Sequence, residues 1–291
     1  MNNTEISWTE LTWNPMSGCR VVSDECKYCY AQTLAEDKRG TRAFPKGFDL
    51  TIREHKLLEP ARIRRPSLIF CNSMSDLGLA DLPDEYRGRI FDAIEETPRH
   101  RYQVLTKRPE ILLEWLIRSG RRIPSSVWMG VTIGSPNHVS TDRLDVLRRY
   151  RDLGARVLFV SAEPLLGDLP LNLEGVDWII TGGESGRHCS DADALERRFL
   201  VRRGVRGEAN WVPRQDRVGW VRRLRDEAER VGCAHWFKQW GGPRPTSGGR
   251  VLDGRTHDGM PVAVDGAMPV GYEHAVPDHV ADRRRVLEVV N

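Results

Sequence analysis

Three cysteines within eleven residues are the clearest chemistry this sequence offers. Cys19, Cys26 and Cys29 are spaced C-x6-C-x2-C, in the runs Trp13-Asn14-Pro15-Met16-Ser17-Gly18-Cys19 and Cys26-Lys27-Tyr28-Cys29-Tyr30-Ala31. Such a cluster points to a metal. Structural zinc takes four closed ligands, commonly from two separated pairs. No histidine stands near these three; His55 and Cys71 are available, but the spacing does not single them out. A [4Fe–4S] cluster has four irons, each needing a ligand. Three protein thiolates leave one iron open to a substrate or cofactor. The other cysteines, Cys71, Cys189 and Cys233, read as buried hydrophobes. Cys71, one residue before an expected strand end, is also a hydrogen-atom donor to consider.

Other groups with chemical potential recur just after short apolar runs. They are Asn72-Ser73-Met74-Ser75-Asp76, Lys107-Arg108, Ile133-Gly134-Ser135-Pro136-Asn137, Glu163-Pro164, Gly182-Gly183-Glu184-Ser185-Gly186 and Lys238-Gln239-Trp240. Helix caps and turns account for Ser75, Asp76 and Asn137. They do not account for Lys107, Glu163, Glu184 and Lys238. Only six of the 44 basic residues are lysines, so two lysines at such places stand out. Lys107, Arg108 and Lys238 suit a carboxylate or a phosphate. An ion pair of Lys238 with Glu163 or Glu184 fits the sequence equally well. Trp240 is the tryptophan best placed to stack on a base; the others read as core.

The elements that must position these groups follow from periodicity. Apolar runs at Ser67–Asn72, Tyr102–Thr106, Trp128–Thr132, Arg156–Ser161, Trp178–Thr181 and Ala234–Lys238 read as buried strands. Leu11–Pro15 and Asp49–Glu54 are further candidates. Helical patterns lie at Asp84–Glu96, Glu110–Ser119, Thr141–Leu153 and Arg217–Val231. Buried strands alternating with amphipathic helices mean a parallel sheet covered by helices. The expectation is an α/β fold, a full or partial (β/α) TIM-type barrel of six to eight βα units. Functional residues then belong at the C-terminal strand ends. The barrel is expected over residues 1–245, with the cysteine loop at 19–29 and an Arg-rich insertion at 187–217. That insertion holds eight arginines and five acids and little periodicity, so a lid loop is expected there. Residues 246–291 read as a C-terminal extension and tail.

Composition sets the bounds. With 291 residues, 40% hydrophobic and 29% charged, the chain can build a sizeable core. No apolar run approaches the ~20 residues that cross a bilayer. Met1–Asn14 shows no basic stretch followed by an apolar one, so no signal peptide is expected. A cytoplasmic chain is therefore expected, and metal binding outranks disulfides. A net charge of +3 neither demands nor excludes a polyanionic partner. No Walker loop, dinucleotide fingerprint, His-Glu-x-x-His or nucleophile elbow is present.

Taken together, these motifs resemble the phage-associated three-cysteine proteins, a largely uncharacterised family related to radical SAM enzymes and, distantly, to spore photoproduct lyase. The likeness runs from about Ile6 to Pro261. It adds Leu105-Thr106-Lys107-Arg108-Pro109, Gly130-Val131-Thr132, Ser161-Ala162-Glu163-Pro164-Leu165, Phe237-Lys238-Gln239-Trp240-Gly241 and Leu252-Asp253-Gly254-Arg255 to the runs above. One departure is plain: the first cysteine gap is six residues, where three is common among radical SAM enzymes. The resemblance implies a radical-SAM-like barrel whose open iron binds S-adenosyl-L-methionine and cleaves it to a 5′-deoxyadenosyl radical. It implies that Cys19, Cys26 and Cys29 hold the cluster and that Tyr28 lies near the adenine. Ser73, Asp76, Arg108, Gly182, Gly183 and Glu184 would contact the cofactor, and Lys107, Glu163 and Lys238 would act on substrate. A DNA or nucleotide substrate, for base modification or repair, follows from the same likeness. So do a one-electron reductant and a separate partner protein. The alternative is a non-enzymatic nucleic-acid-binding or host-interaction protein stabilised by zinc or a structural cluster.

Overall fold

Each main apolar run is a strand because both of its faces are covered. A computed structural model describes residues 2–261, and the tail expected beyond Pro261 lies outside them. Seven parallel strands form one sheet: β1 (Leu11–Trp13), β2 (Leu68–Cys71), β3 (Arg101–Thr106), β4 (Val127–Thr132), β5 (Val157–Ala162), β6 (Trp178–Gly182) and β7 (Ala234–Gln239). They lie in chain order, and a two-residue antiparallel strand, Asn2–Asn3, extends the β1 edge. No pairing joins β7 back to β1 among the described residues, so the sheet is a partial barrel.

Side-chain alternation splits the core in two. On the outer face Ile69, Val104, Met129, Leu158, Ile179 and Phe237 belong to one cluster with the helices. On the inner face Phe70, Trp128, Phe159, Ile180 and Trp236 form another. Trp8, just before β1, joins the inner cluster and stacks edge-on against Trp178 at 6.0 Å. The bottom of the half-barrel is thus filled with aromatic rings, while its top is left to polar residues.

The helices are α1 (Tyr30–Asp37), α2 (Asp84–Glu95), α3 (Pro109–Arg118), α4 (Arg143–Arg149), α5 (Ala192–Arg198) and α6 (Gln215–Val231). Pro109 suits the first turn of α3, where its missing N–H costs nothing. Asp84 and Glu85 sit at the positive end of α2. Gly232, left-handed at φ 72°, closes α6.

Three segments differ from the sequence expectation. The pattern at Thr141–Leu153 is divided: a single turn, His138–Thr141, is capped by the Asn137 side chain, and α4 follows. Thr51–Ile52 is a strand, but it pairs antiparallel with Met16–Ser17 beside the cysteine loop and not in the barrel. Residues 187–217 hold more order than a lid loop. A 3-10 turn, α5 and an antiparallel ribbon (Val201–Arg203 with Trp211–Pro213) occupy them, and α6 begins there. After β7 the chain doubles back along that strand, with Phe237 N–H donating to His257 O and Gly259 N–H to His235 O, both at 2.9 Å.

Candidate functional site

The loop after β1 carries the cysteines and is tied at both ends. Asn14 accepts from Met74 N–H at 3.0 Å and donates to Ser73 Oγ at 3.0 Å. Tyr86 donates to Pro15 O at 2.8 Å, and Gly18 N–H to Met74 O at 3.0 Å. The Trp-Asn-Pro motif is therefore a strap between the loop and the end of β2. Further along, Glu25 turns inward beneath Cys26. Its Oε1 accepts from Gly134 N–H at 2.9 Å, Ser135 N–H at 3.2 Å and the Ser140 hydroxyl. Burial works against its charge, but these bonds win and hold its pKa below the usual carboxylate range. Glu25 thus pins the loop to the turn after β4.

Cys19, Cys26 and Cys29 are unpaired, partly exposed and line one cavity of about 690 Å³ at the C-terminal strand ends. Cys29 occupies the N-cap position of α1. Burial, then Asp76, raises the Cys19 thiol, opposed by Arg108, whose Nη1 lies 3.4 Å from Cys19 Sγ. Among the described residues no three His, Cys, Asp or Glu side chains are arranged to hold a single metal ion. A cluster takes one thiolate per iron. Three unpaired thiols on one wall, a guanidinium beside one and a helix end beneath another form a donor set that fits such a cluster.

Asp76 organises the wall behind Cys19. It accepts from Thr106 Oγ1 at 2.6 Å, Gly78 N–H at 2.8 Å, Lys107 N–H at 3.0 Å and Arg108 Nη1 at 2.9 Å. Arg108 is buried and does not line the cavity; Asp76 and Cys19 keep it charged against the cost of burial. Lys107 does line it.

Across the cavity Lys238 Nζ lies 3.1 Å from Glu163 Oε1. A register shift in β7 falls between Phe237 and Gln239, at Lys238. Gly182 leaves room for the pair, because a Cβ there would sit 2.6 Å from Glu163 Oε1. Glu184 is committed elsewhere: Arg198 Nε donates to its Oε2 at 2.5 Å and Nη2 to its Oε1 at 3.0 Å. Arg198 also reaches Asp24 O at 3.1 Å, so α5 clamps the cysteine loop. Tyr28 stacks on His188 at 3.8 Å with Arg198 5.1 Å from its ring centre.

The cavity thus gathers the three cysteines with Tyr28, Ser73, Asp76, Lys107, Glu163, Gly183, Glu184 and Lys238. Cys71 is fully buried in the outer core, and Trp240 packs there against Phe237 at 4.8 Å. Sequence reasoning gave no individual role to Glu25, Asn72 or Thr132, which also line the wall. Asn72 has the one available signal, a place in the Asn-Ser-Met-Ser-Asp run, where it passes for a turn residue.

Comparison with known proteins agrees with this architecture. A cysteine-to-serine mutant of spore photoproduct lyase matches with a TM-score of 0.50 at 16% identity, over 81% of this chain and 78% of that one. A double mutant of the same lyase, with bound AdoMet and dinucleoside spore photoproduct, matches over the same shares with a TM-score of 0.46 at 16% identity. At this identity the likeness is one of fold, a partial (β/α) barrel. No curated protein matches the sequence. A family model described as protein of unknown function (DUF5131) matches residues 3–197 and 204–261, and the chain belongs to that family.

Proposed function

We propose that the chain is a radical SAM-type iron–sulfur enzyme acting on a nucleic-acid or nucleotide substrate. One observation carries the reading: three unpaired cysteines share a cavity with ionic side chains at the C-terminal end of a parallel half-barrel. Cys19, Cys26 and Cys29 would hold a [4Fe–4S] cluster, and S-adenosyl-L-methionine would fill the space beside it. Bound there, the pair would supply radical chemistry, given an electron from a one-electron reductant.

The chain's own residues do the rest. Glu25 and the Arg198–Glu184 pair hold the cysteine loop rigid against β4 and β6. Tyr28, stacked on His188, walls the cavity near the last cysteine. Ser73 and Gly183 offer polar edges to a cofactor, while Asp76 and Arg108 position Cys19 from behind. Lys238 and Glu163 form a proton-carrying pair facing the substrate, and the aromatic floor excludes water from below. The half-barrel up to residue 245 is the catalytic unit, with 187–217 as its clamp and the segment up to residue 261 returning along β7.

The test is anaerobic purification with measurement of iron, sulfide and zinc, and of the spectrum before and after dithionite and SAM. About four irons and four sulfides per chain are expected. Cys26→Ala should lose them, and reduction with SAM should release 5′-deoxyadenosine. One zinc, no iron and no SAM cleavage after reconstitution would replace this reading with a metal-stabilised binding protein.

A further inference from the structure

We propose that Asn72, Lys107 and Thr132 form a phosphate-binding subsite, and that the substrate enters as a nucleotide carrying its phosphate. The inference rests on the nucleotide-directed reading above and deepens it. The three residues sit at the ends of neighbouring strands: Cys71 pairs with Val104 across β2 and β3, and Thr106 with Val131 across β3 and β4. All three line the cavity.

Each is uncommitted. Asn72 is 3% exposed, yet neither Nδ2 nor Oδ1 has a hydrogen-bond partner. Thr132 Oγ1 is likewise buried without one. Buried polar groups are nearly always bonded. Asn72 also holds a left-handed backbone, φ 66°, uncommon outside glycine. Buried, unpaired groups of this kind gather where a ligand completes them. Among the described residues no carboxylate pairs with the Lys107 ammonium, although Asp76 fixes its backbone N–H at 3.0 Å. The neighbouring acids are spent: Asp76 on Arg108, Glu163 on Lys238, Glu184 on Arg198. Glu25, the remaining acid of the wall, faces Arg143 at 3.8 Å.

The chemistry of the trio selects an anion. Lysine is a point-charge phosphate binder, and amide and hydroxyl donors supply two further bonds to its oxygens. Two residues on, α3 begins, and its positive end adds to the same field. The SAM carboxylate is the other anion available to the cavity, so the experiment separates the two.

The full-length protein, prepared without oxygen, is titrated with the four 2′-deoxynucleoside 5′-monophosphates, their nucleosides and SAM. Calorimetry and tryptophan fluorescence report binding, since Trp8 lines the cavity. At least one monophosphate should bind about tenfold or more tighter than its nucleoside, and inorganic phosphate should compete, as expected for a charge-assisted contact. Lys107→Met and Asn72→Asp should each erase that preference and leave SAM binding unchanged. Asn72→Asp keeps the shape and tolerates the backbone, so an unchanged Tm with lost preference reports charge and not misfolding. Equal binding of nucleotide and nucleoside, or binding of neither, overturns the subsite. So does a Lys107→Met variant that loses SAM together with the monophosphate, which would give the trio to the SAM carboxylate. A chain with no iron and no SAM binding that still prefers the monophosphate would sink the enzyme reading and leave the subsite standing.

Discussion

Asp76 is the residue on which the cysteine wall turns. Its two oxygens accept four bonds, and its ion pair with Arg108 is buried on both sides. Removing one member of such a pair leaves an uncompensated charge in the interior. Arg108→Met is therefore expected to cost about 3–5 kcal/mol in denaturant unfolding. A cost below about 1 kcal/mol, the range of exposed pairs, would show the site to be wet. At this scale the sequence was legible where residue type and spacing carry the meaning. The three clustered cysteines do share one cavity, and Lys107, Glu163 and Lys238, out of character for turns, line it with them. Asn72 was legible only in part. Its place in a polar run after a strand was visible, but its lack of a partner is a property of what surrounds it. The fate of Glu184 was hidden for the same reason: Arg198 lies fourteen positions away, on a helix the pattern did not reveal.

The elements were legible wherever burial is two-sided. β3 to β6 show as continuous apolar runs because helices cover one face and aromatic rings the other. Gly130 exposes how tight that inner layer is. A Cβ there would meet the Phe159 ring at 2.3 Å. Gly130→Ala should cost about 1–3 kcal/mol through overpacking, read as a lowered denaturant midpoint with an unchanged m-value. A neutral result would mean that the aromatic floor can shift. Short elements were harder to place: Asp49–Glu54 was expected as a strand of the barrel, and the strand found there pairs outside it. Thr51–Ile52 has two residues and exists because Met16–Ser17 lies beside it. The helix α5 has seven, and an isolated helix of that length is marginal in water. Its place comes from Arg198 binding Glu184 and Asp24 O, contacts no local window contains.

For the whole molecule, acid is the informative perturbation. His235 on β7 is buried; its Nε2 meets Thr181 Oγ1 at 2.9 Å, and His257 lies 5.3 Å away ring to ring. Burial, then His257, lowers its pKa from 6.5 to about 3. Between those values the unfolded chain binds a proton that the folded chain does not. Stability is complete above 6.5 and falls as the pH drops toward 3, by up to about 1.4 kcal/mol per unit. Unfolding midpoints measured from pH 7 to 4 should show this slope, and His235→Gln should flatten it. An unchanged slope in the variant would assign the acid sensitivity to other groups. Among the described residues no helix is long and apolar enough to cross a membrane.

The half-barrel's inner face is divided by height, with tryptophan and phenylalanine below and ionic or amide groups above. The apolar burial of that face lies mostly in the lower storey. Replacing Asn72, Lys107 or Thr132 alters what the upper storey grips without thinning the layer that keeps the sheet together. Changes on the upper rim should therefore be read in ligand binding, and changes in the aromatic floor in unfolding.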